Sequence, residues 1–453
     1  MLLAADPLQS PGGDTAWVLA SAALVLLMTP GLAFFYGGMT RAKTTLNMMM
    51  MSVITIGIVS MLWTAFGFSV AFGNTGNGFW GGLHDVGMGE LIGKVATNGG
   101  IYPIPALAFS MFQLMFAIIT PALISGAIAD RAKFLSWGIF VTLWASLVYF
   151  PVAHWVFDFG GAQLLKEGPG WLAKLGVEDF AGGTAVHINA GAAGLALALI
   201  LGRRAGWPKA PFRPHNVPAV LLGASLLWFG WFGFNAGSAL AANQTAALAF
   251  TNTQVATAAG VLGWLLVEKL RDGHPTTVGA ASGAVAGLVA ITPACAFIVP
   301  WSAILLGLLA GAICALAVSL KFRIGFDDSL DVVGVHMVGG IIGCLFLGFF
   351  STTRSLYATT NGLFYGGGLH QLWIQTVSAS SVLAYSFVMA LIIGLAIHKT
   401  IGFRIDPEAE AGGIDLAEHA ETAYEFSGFG VGGAGVGNLS SGTVHVPGER
   451  VGA

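Results

Sequence analysis

Two histidines stand in matching surroundings inside apolar stretches of this chain. His187 lies in Asp179 to Gly194, DFAGGTAVHINAGAAG, and His336 lies in Asp328 to Gly343, DSLDVVGVHMVGGIIG. In each stretch an aspartate precedes the histidine by eight residues, a valine stands directly before it, and glycines follow four and seven residues later. A neutral imidazole donates from one nitrogen and accepts at the other, so a buried pair can share a proton and offer hydrogen-bonding edges to a small polar solute. Deep burial disfavours the charged imidazolium. Metal binding is the rival chemistry, but it needs more ligands, and the sequence holds neither HExxH nor a Cys/His cluster. Cys295, Cys314 and Cys344 fall in apolar segments without paired spacing, so neither disulfides nor metal are expected, and no cofactor motif is present. A single histidine in a membrane helix can simply hydrogen-bond a neighbouring helix. A matched pair is harder to dismiss, because ionisable groups at depth are costly and mark pathways. Asp179 and Asp328 read first as N-caps, whose carboxylates accept the orphan amides of a first helical turn. Asp179 can also orient a site without touching its ligand.

The elements that must position these residues follow from composition. The chain has 453 residues, 55% hydrophobic and only 9% charged, with a mean hydropathy of +0.78. A soluble surface needs about a quarter of residues charged, so this is a polytopic membrane protein. The 65 glycines sit inside long apolar runs, which suits close helix packing through small residues. A net charge of -3 identifies no partner, and no nucleic acid is expected. The first fifteen residues carry no Lys or Arg, lack the charged region of a signal peptide, and are expected to be a short mature N-terminus.

Apolar runs of about 20 residues predict an all-α integral membrane fold with eleven spans. Their approximate cores are 16–37, 45–72, 105–128, 134–157, 181–201, 217–237, 246–267, 277–298, 302–320, 332–350 and 372–397. Loops after the odd-numbered spans hold Arg41, Lys43, Arg131, Lys133, Arg203, Arg204, Lys209, Arg213, Lys269, Arg271, Lys321 and Arg323, and Lys399 and Arg404 follow the last. The other side holds only Lys94, Lys166, Lys174 and Arg354. Cytoplasmic loops retain positive charge, so the N-terminus is expected outside and the C-terminus inside the cell. Eleven spans divide as five, five and one. Because five is odd, the second repeat enters from the opposite side, giving an inverted pair over about 16–201 and 217–350 plus a last helix, 372–397. SGAIA at Ser125–Ala129 and SGAVA at Ser282–Ala286 offer a second, weaker match between the repeats. Eight residues at 1.5 Å put each histidine about 12 Å deep from its own side. In a hydrocarbon core about 30 Å thick the two arrive near the midplane and can meet.

Aromatic clusters recur along the spans, and those of spans four and six fall at the outer surface. Span one ends in GLAFFYGG, span three contains FQLMFA with Phe112, Gln113 and Phe116, span four ends in YFPVAHWVFDFGG, and span six carries WFGFNAGS with Trp231, Phe234, Asn235 and Ser238. Phe112 and Phe116 are four apart and share one helical face. On pattern alone such stripes are core more often than ligand site.

WFGFNAGSA, DFAGGTAVHINA, DDSLDVVGVH and the FYGG segment nevertheless resemble the ammonium transporter family, the Amt branch of the Amt/Mep/Rh superfamily, from span one to about Phe426. The resemblance implies ammonium or ammonia as substrate, a homotrimer with one pore per subunit, and uptake across the cytoplasmic membrane in contact with lipid. It implies that Phe116 and Phe234 form a gate of stacked rings and that Phe112, Gln113 and Ser238 contribute to an outer ammonium site. His187 and His336 line the narrow apolar pore, Trp231 belongs to its wall, and Asp179 supports the outer site. Where many bacterial members have a vestibule tryptophan this sequence has Phe157, with Trp155 as the alternative partner. Ammonium can surrender its proton and cross as ammonia, which potassium and sodium cannot do. The histidines would hydrogen-bond ammonia and, where transport is electrogenic, relay the proton separately. An ammonium sensor, a passive Rh-type gas channel and an intramembrane enzyme are the alternatives. A sensor would ordinarily carry a long appended signalling domain, Rh pores lack the aromatic recruitment site, and no nucleophile–base set supports an enzyme. Residues 1–401 are thus expected to form the membrane domain. The polar, acidic segment from 402 resembles a cytoplasmic region that couples subunits, and in many prokaryotic members a P-II signalling trimer blocks that face. After about 427 the Gly-rich tail is expected to be disordered.

Overall fold

The computed structural model describes residues 12–73, 77–97, 103–159, 170–209 and 212–424. The expectation for the tail after 427 lies outside them. Long helices follow one another as α1 (Gly12–Met39), α2 (Thr45–Phe72), α3 (Ala106–Ile128), α4 (Phe134–Phe157), α5 (Gly183–Leu201) and α6 (Val217–Gly237). They continue as α7 (Gln244–Asp272), α8 (Thr277–Ile291), α9 (Pro300–Ile324), α10 (Val333–Phe350) and α11 (His370–Thr400). Among the described residues nine of these, all but α7 and α8, are long and apolar enough to cross a membrane. The strands described are one short antiparallel pair, β1 (Val95–Thr97) and β2 (Pro103–Pro105).

The helix expected over 246–267 is present within α7, although Asn252, Thr253 and Thr257 stand fully buried along it. The threonine hydroxyls donate to carbonyls one turn back, and the Asn252 amide donates to Cys295 O at 2.7 Å and Ile298 O at 2.8 Å. Those two carbonyls lie where the run 277–298 departs from expectation. α8 stops at Ile291. Pro293 lacks an amide to continue the ladder, and the chain turns through residues 292–297 before α9 begins at Pro300.

Small residues set how closely the helices approach. α7 packs along α9 and α8, and α1 along α6. A Cβ on Gly307 would sit 2.1 Å from Ala256 O, and one on Gly311 would sit 2.1 Å from Gly260 O, so α9 meets α7 backbone to backbone. The second repeat match does not survive this geometry. Ser125–Ala129 closes α3 and leads out of it, whereas Ser282–Ala286 lies in the body of α8. A composition rich in Gly and Ala produces such strings without equivalence.

At one end of the molecule the loops after α3, α5 and α9 share a buried ion network. The Arg204 guanidinium grips Asp327 with two hydrogen bonds of 2.9 Å and donates to Asp130 at 3.1 Å. Arg131, wholly buried, donates to Ala127 O at 3.0 Å, Ala129 O at 3.2 Å, Asp327 O at 2.5 Å and Ser329 Oγ at 2.5 Å. Burial pulls the Arg131 guanidinium down to about 10, with Asp327 opposing. Burial alone would raise the Asp327 carboxyl, but the Arg204 fork outweighs it and holds the group below the usual carboxylate range.

The segment after α11 docks on this same end. Ile405 N donates to Arg131 O at 2.9 Å, and Lys133 N donates to Phe403 O at 2.9 Å. Its short helices α12 (Pro407–Gly412) and α13 (Ile414–His419) supply acidic caps. Asp415 accepts from Leu46 N at 3.0 Å and Asn47 N at 2.8 Å, Glu418 accepts from Phe134 N at 2.8 Å, and Glu410 accepts from Ala205 N at 2.6 Å. These carboxylates close the first turns of α2 and α4 and the loop after α5.

Asp327→Ala leaves two buried guanidinium groups without their shared anion. Loss of one partner of a buried pair costs about 3–5 kcal/mol. The expected result is a clear drop in the thermal midpoint of the detergent-solubilised protein; an unchanged midpoint would mean that the network adds nothing to stability.

Candidate functional site

α5 and α10 cross at the two histidines. Each helix opens with a π-helical turn, Gly183–Ile188 and Val333–Met337, and each turn contains the histidine. The wider turn rotates a side chain relative to a regular helix and is a frequent mark of functional positions. Three residues after each aspartate the backbone takes positive φ, 118° at Gly182 and 63° at Asp331. The two aspartates are caps, as their spacing predicts. Asp179 accepts from Gly182 N at 2.8 Å, Gly183 N at 2.6 Å, Thr184 N at 2.8 Å and the Thr184 hydroxyl. Asp328 accepts from Val332 N at 3.1 Å and Val333 N at 2.7 Å.

The glycine four residues beyond each histidine is what lets the helices touch. A Cβ on Gly191 would lie 2.5 Å from Met337 N, and one on Gly340 would lie 2.9 Å from Ile188 Cγ1 and 3.2 Å from His187 Cβ. His187 and His336 therefore meet, with Nδ1 to Nδ1 at 3.2 Å, ring centroids 5.4 Å apart and planes 23° from parallel. One Nδ1 must donate and the other accept. His187 Nε2 has no hydrogen-bond partner.

Aromatic rings continue the stack away from the histidines. Trp231 lies 5.4 Å from His187 at 20°, and Phe234 lies 6.1 Å from it at 22°. The indole of Trp231 is held by donation to Thr292 Oγ1 at 2.8 Å, and Thr292 in turn donates to Leu288 O at 2.7 Å. Phe234 packs against Phe116 at 4.3 Å, and Phe116 against Phe112 at 4.9 Å.

This ring pair stands between two spaces of different size. On one side is a cavity of about 360 Å³, here called the vestibule, bordered by Phe112, Gln113, Phe116, Phe157, Asp179 and Ser238. On the other is an apolar chamber of about 10 Å³ that Phe234, Trp231, His187 and His336 share with aliphatic side chains of α1 and α3. A chamber of that size holds about one water-sized molecule. Phe116 borders the first space and Phe234 the second. Ser238 donates to Phe234 O at 2.8 Å, so its hydroxyl oxygen remains available as an acceptor. Trp155 does not border the vestibule. Its indole donates to Phe79 O at 2.8 Å, and the ring packs against Tyr385 at 4.7 Å. Phe157 borders the cavity instead.

The structure thus places Phe112, Gln113, Phe116, Phe157, Asp179 and Ser238 around the vestibule and Phe234, Trp231, His187 and His336 around the chamber, and leaves Trp155 out of both. Sequence reasoning passed over Thr292 and Glu178. Thr292 holds Trp231 from a turn that apolar periodicity had assigned to a helix, and Glu178 borders the vestibule beside Asp179. A carboxylate next to a capping carboxylate was the signal available for Glu178. Among the described residues no group of three His, Cys, Asp or Glu could hold a metal.

Comparison with known proteins agrees in family. The model of the Ammonium Transporter Family matches residues 16–424. An ammonium transporter of Mycobacterium bovis is 56% identical over 435 residues, covering 92% of this chain and 91% of its own. Among solved structures, Mep2 of Candida albicans is 32% identical with a TM-score of 0.81, covering 88% of each chain. A structure titled "Sensor Amt Protein" is 29% identical with a TM-score of 0.82, covering 90% of this chain and 98% of that one.

Asp179→Asn replaces two acceptor oxygens with one and points amide hydrogens at backbone donors. Losing a cap of this kind costs about 1–2 kcal/mol. Hydrogen exchange should quicken in the peptide spanning 182–190 and leave α7 and α9 unchanged; equal protection throughout would contradict the capping role.

Proposed function

The chain belongs to the Ammonium Transporter Family, and from that premise we propose that this multi-pass membrane transporter, which is not an enzyme, takes up ammonium across the cell membrane. Ammonium gathers in the vestibule, where Phe112, Phe157, Gln113 and Ser238 replace part of its water. Aromatic faces attract a cation through the ring quadrupole, and a serine oxygen accepts an N–H. At the Phe116–Phe234 pair the ion gives up a proton. Neutral ammonia then enters the chamber beside Trp231 and passes the His187–His336 pair, while the proton follows a separate route when transport is electrogenic.

The observation that carries this reading is the hydrogen-bonded imidazole pair, 3.2 Å apart, beneath a closed ring pair in a chamber of about 10 Å³. Such a space suits a molecule the size of water or ammonia. Bare charge there would be expensive, and potassium has no proton to leave behind. His187 borders that space, and its unpartnered Nε2 is a hydrogen-bonding position still to be met.

The wider arrangement belongs to the same proposal. Eleven spans form an inverted five-plus-five repeat with one last helix, the N-terminus and the vestibule lie outside, and the docked C-terminal segment lies in the cytoplasm. The matched capping aspartates, positive-φ residues and π-helical turns of α5 and α10 support the repeat. A homotrimer is expected, with a P-II signalling protein as partner on the basic face. Sensing is the second reading, favoured by the likeness to the structure titled "Sensor Amt Protein".

Proteoliposomes under an ammonium gradient separate these readings. A saturable inward current supports net charge transport, internal alkalinisation without current supports neutral ammonia conduction, and saturable ammonium binding with neither supports sensing. His187→Ala and His336→Ala are each expected to lower flux about tenfold or more, the scale on which a lost proton-handling group acts. If both variants keep rate, selectivity against potassium and current, the pair is not the conducting element.

A further inference from the structure

Glu178 is a carboxylate that the track of rings does not account for. It borders the vestibule, is 5% exposed, and stands next to Asp179 in the loop before α5. Its neighbours come from distant parts of the chain and are uncharged. Thr360 donates to Oε1 at 3.3 Å, Gln375 holds the backbone by accepting from Glu178 N at 3.0 Å and donating to Glu178 O at 2.7 Å, and Gln371 bonds Gln375 at 3.3 Å. The Ser351 hydroxyl donates to Thr360 O at 3.3 Å and also stands close enough to the Glu178 carboxylate to favour its charged form. Oε2 is left buried with no hydrogen-bond partner.

The two adjacent carboxylates are therefore in opposite situations. Asp179 spends both oxygens on the amides of a helix start, so a proton placed on it would oppose those donors. Glu178 has an oxygen free to receive one.

We propose that Glu178 is the proton acceptor of the vestibule, taking the proton that ammonium sheds before ammonia passes the Phe116–Phe234 pair. The proposal rests on the ammonium reading above. An N–H bond of ammonium breaks with its electron pair staying on nitrogen, and an O–H bond forms at Oε2. A cation and a carboxylate become neutral ammonia and a neutral carboxylic acid, so no charge remains to be carried into the chamber. The acid then returns its proton to water. A neutral acid is also the form that the uncharged surroundings favour: burial raises the Glu178 carboxyl to about 7, with the Ser351 and Thr360 hydroxyls offsetting part of the effect. On neighbouring elements the titratable groups are Asp179 on its own loop, Lys174 on the short helix Trp171–Leu175, Tyr357 on the vestibule rim and His370 in the first turn of α11. The groups in direct contact with the carboxylate's surroundings, Ser351, Thr360, Gln371 and Gln375, are neutral.

The sign of the pH dependence follows. Only the carboxylate can accept, so transport rises as pH passes upward through about 7 and falls as pH drops below it. The test uses the full-length protein in proteoliposomes, buffered to one pH on both faces between about 5.5 and 8.5, with the ammonium ion concentration held constant. Wild-type initial flux is expected to be about tenfold higher at pH 8 than at pH 6, the change in carboxylate fraction for a group midway between them. Glu178→Gln should lower the maximal rate about tenfold or more and flatten that pH limb, while the half-saturating ammonium concentration stays within about threefold. Glu178→Asp should restore the limb with a shifted midpoint. A role confined to the polar cluster would lower thermal stability and leave the limb in place. If wild-type flux is flat across this range, or if Glu178→Gln keeps both rate and limb, the acceptor is not Glu178 and ammonium transport stands. Absence of any ammonium flux in the wild type would overturn the transport reading and this one with it. Should Glu178→Gln fail to assemble, the wild-type limb and Glu178→Asp decide.

Discussion

The rest of the structure depends on how closely α5 and α10 cross. A methyl group at Gly191 would stand 2.5 Å from Met337 N, and one at Gly340 would stand 3.0 Å from Gly183 O. Only hydrogen at these positions allows the two π-helical turns to sit against each other, and only that contact brings Nδ1 of His187 within 3.2 Å of Nδ1 of His336. With one nitrogen of each ring committed to the pair, Nε2 of His187 is left without a partner. An unmet buried donor or acceptor costs about 1–3 kcal/mol, which is the scale on which a passing polar solute would be welcomed. The same crossing explains why the aspartates are so heavily bonded. A helix that begins inside protein, with four orphan amides and no water, requires a local acceptor for them.

The buried charges lie away from that crossing and are matched to one another. Arg131, Arg204, Asp130 and Asp327 neutralise one another at the basic face, where the bidentate Arg204–Asp327 pair and the backbone carbonyls around Arg131 meet nearly every donor. Burying four charges is expensive unless each is matched, and the match ties the loops after α3, α5 and α9 into one knot. The C-terminal segment extends the knot by placing Asp415 and Glu418 at the starts of α2 and α4. The ring track itself, from Phe112 to His336, carries no fixed charge.

Much of this was legible in sequence, and the reasons differ by residue. His187 and His336 stood out because the same offsets recur around both, and those offsets turn out to be physical: the residue eight before caps the helix, and the glycine four after receives the partner helix. Phe116 and Phe234 became a pair only through family resemblance, since apolar periodicity cannot tell a gate from a core. What was missed depended on distant chain. Glu178 is isolated by Thr360, Gln371 and Gln375, which lie more than 180 positions away in sequence. The end of α8 at Ile291 was hidden because the following turn is as apolar as a helix, and its stray carbonyls are met by Asn252 from α7. Trp155 offered itself for the vestibule on residue type, yet its indole is already spent on Phe79 O.

The two spaces on either side of the ring pair impose a chemical order on the proposed cargo. A vestibule of about 360 Å³ can accommodate a cation with part of its hydration, and a chamber of about 10 Å³ cannot. Desolvating an unpaired charge is far more costly than moving a neutral molecule of equal size. Under the proposed transport the proton leaves before the rings are passed, and a group on the vestibule side takes it. Asp179 is the obvious carboxylate there, but its oxygens hold the helix start together, and protonating it would undo the turn that positions His187. Fixing the histidine and accepting the proton are demands that one carboxylate meets poorly. Placing a second, sparsely bonded carboxylate beside the first separates the structural task from the chemical one.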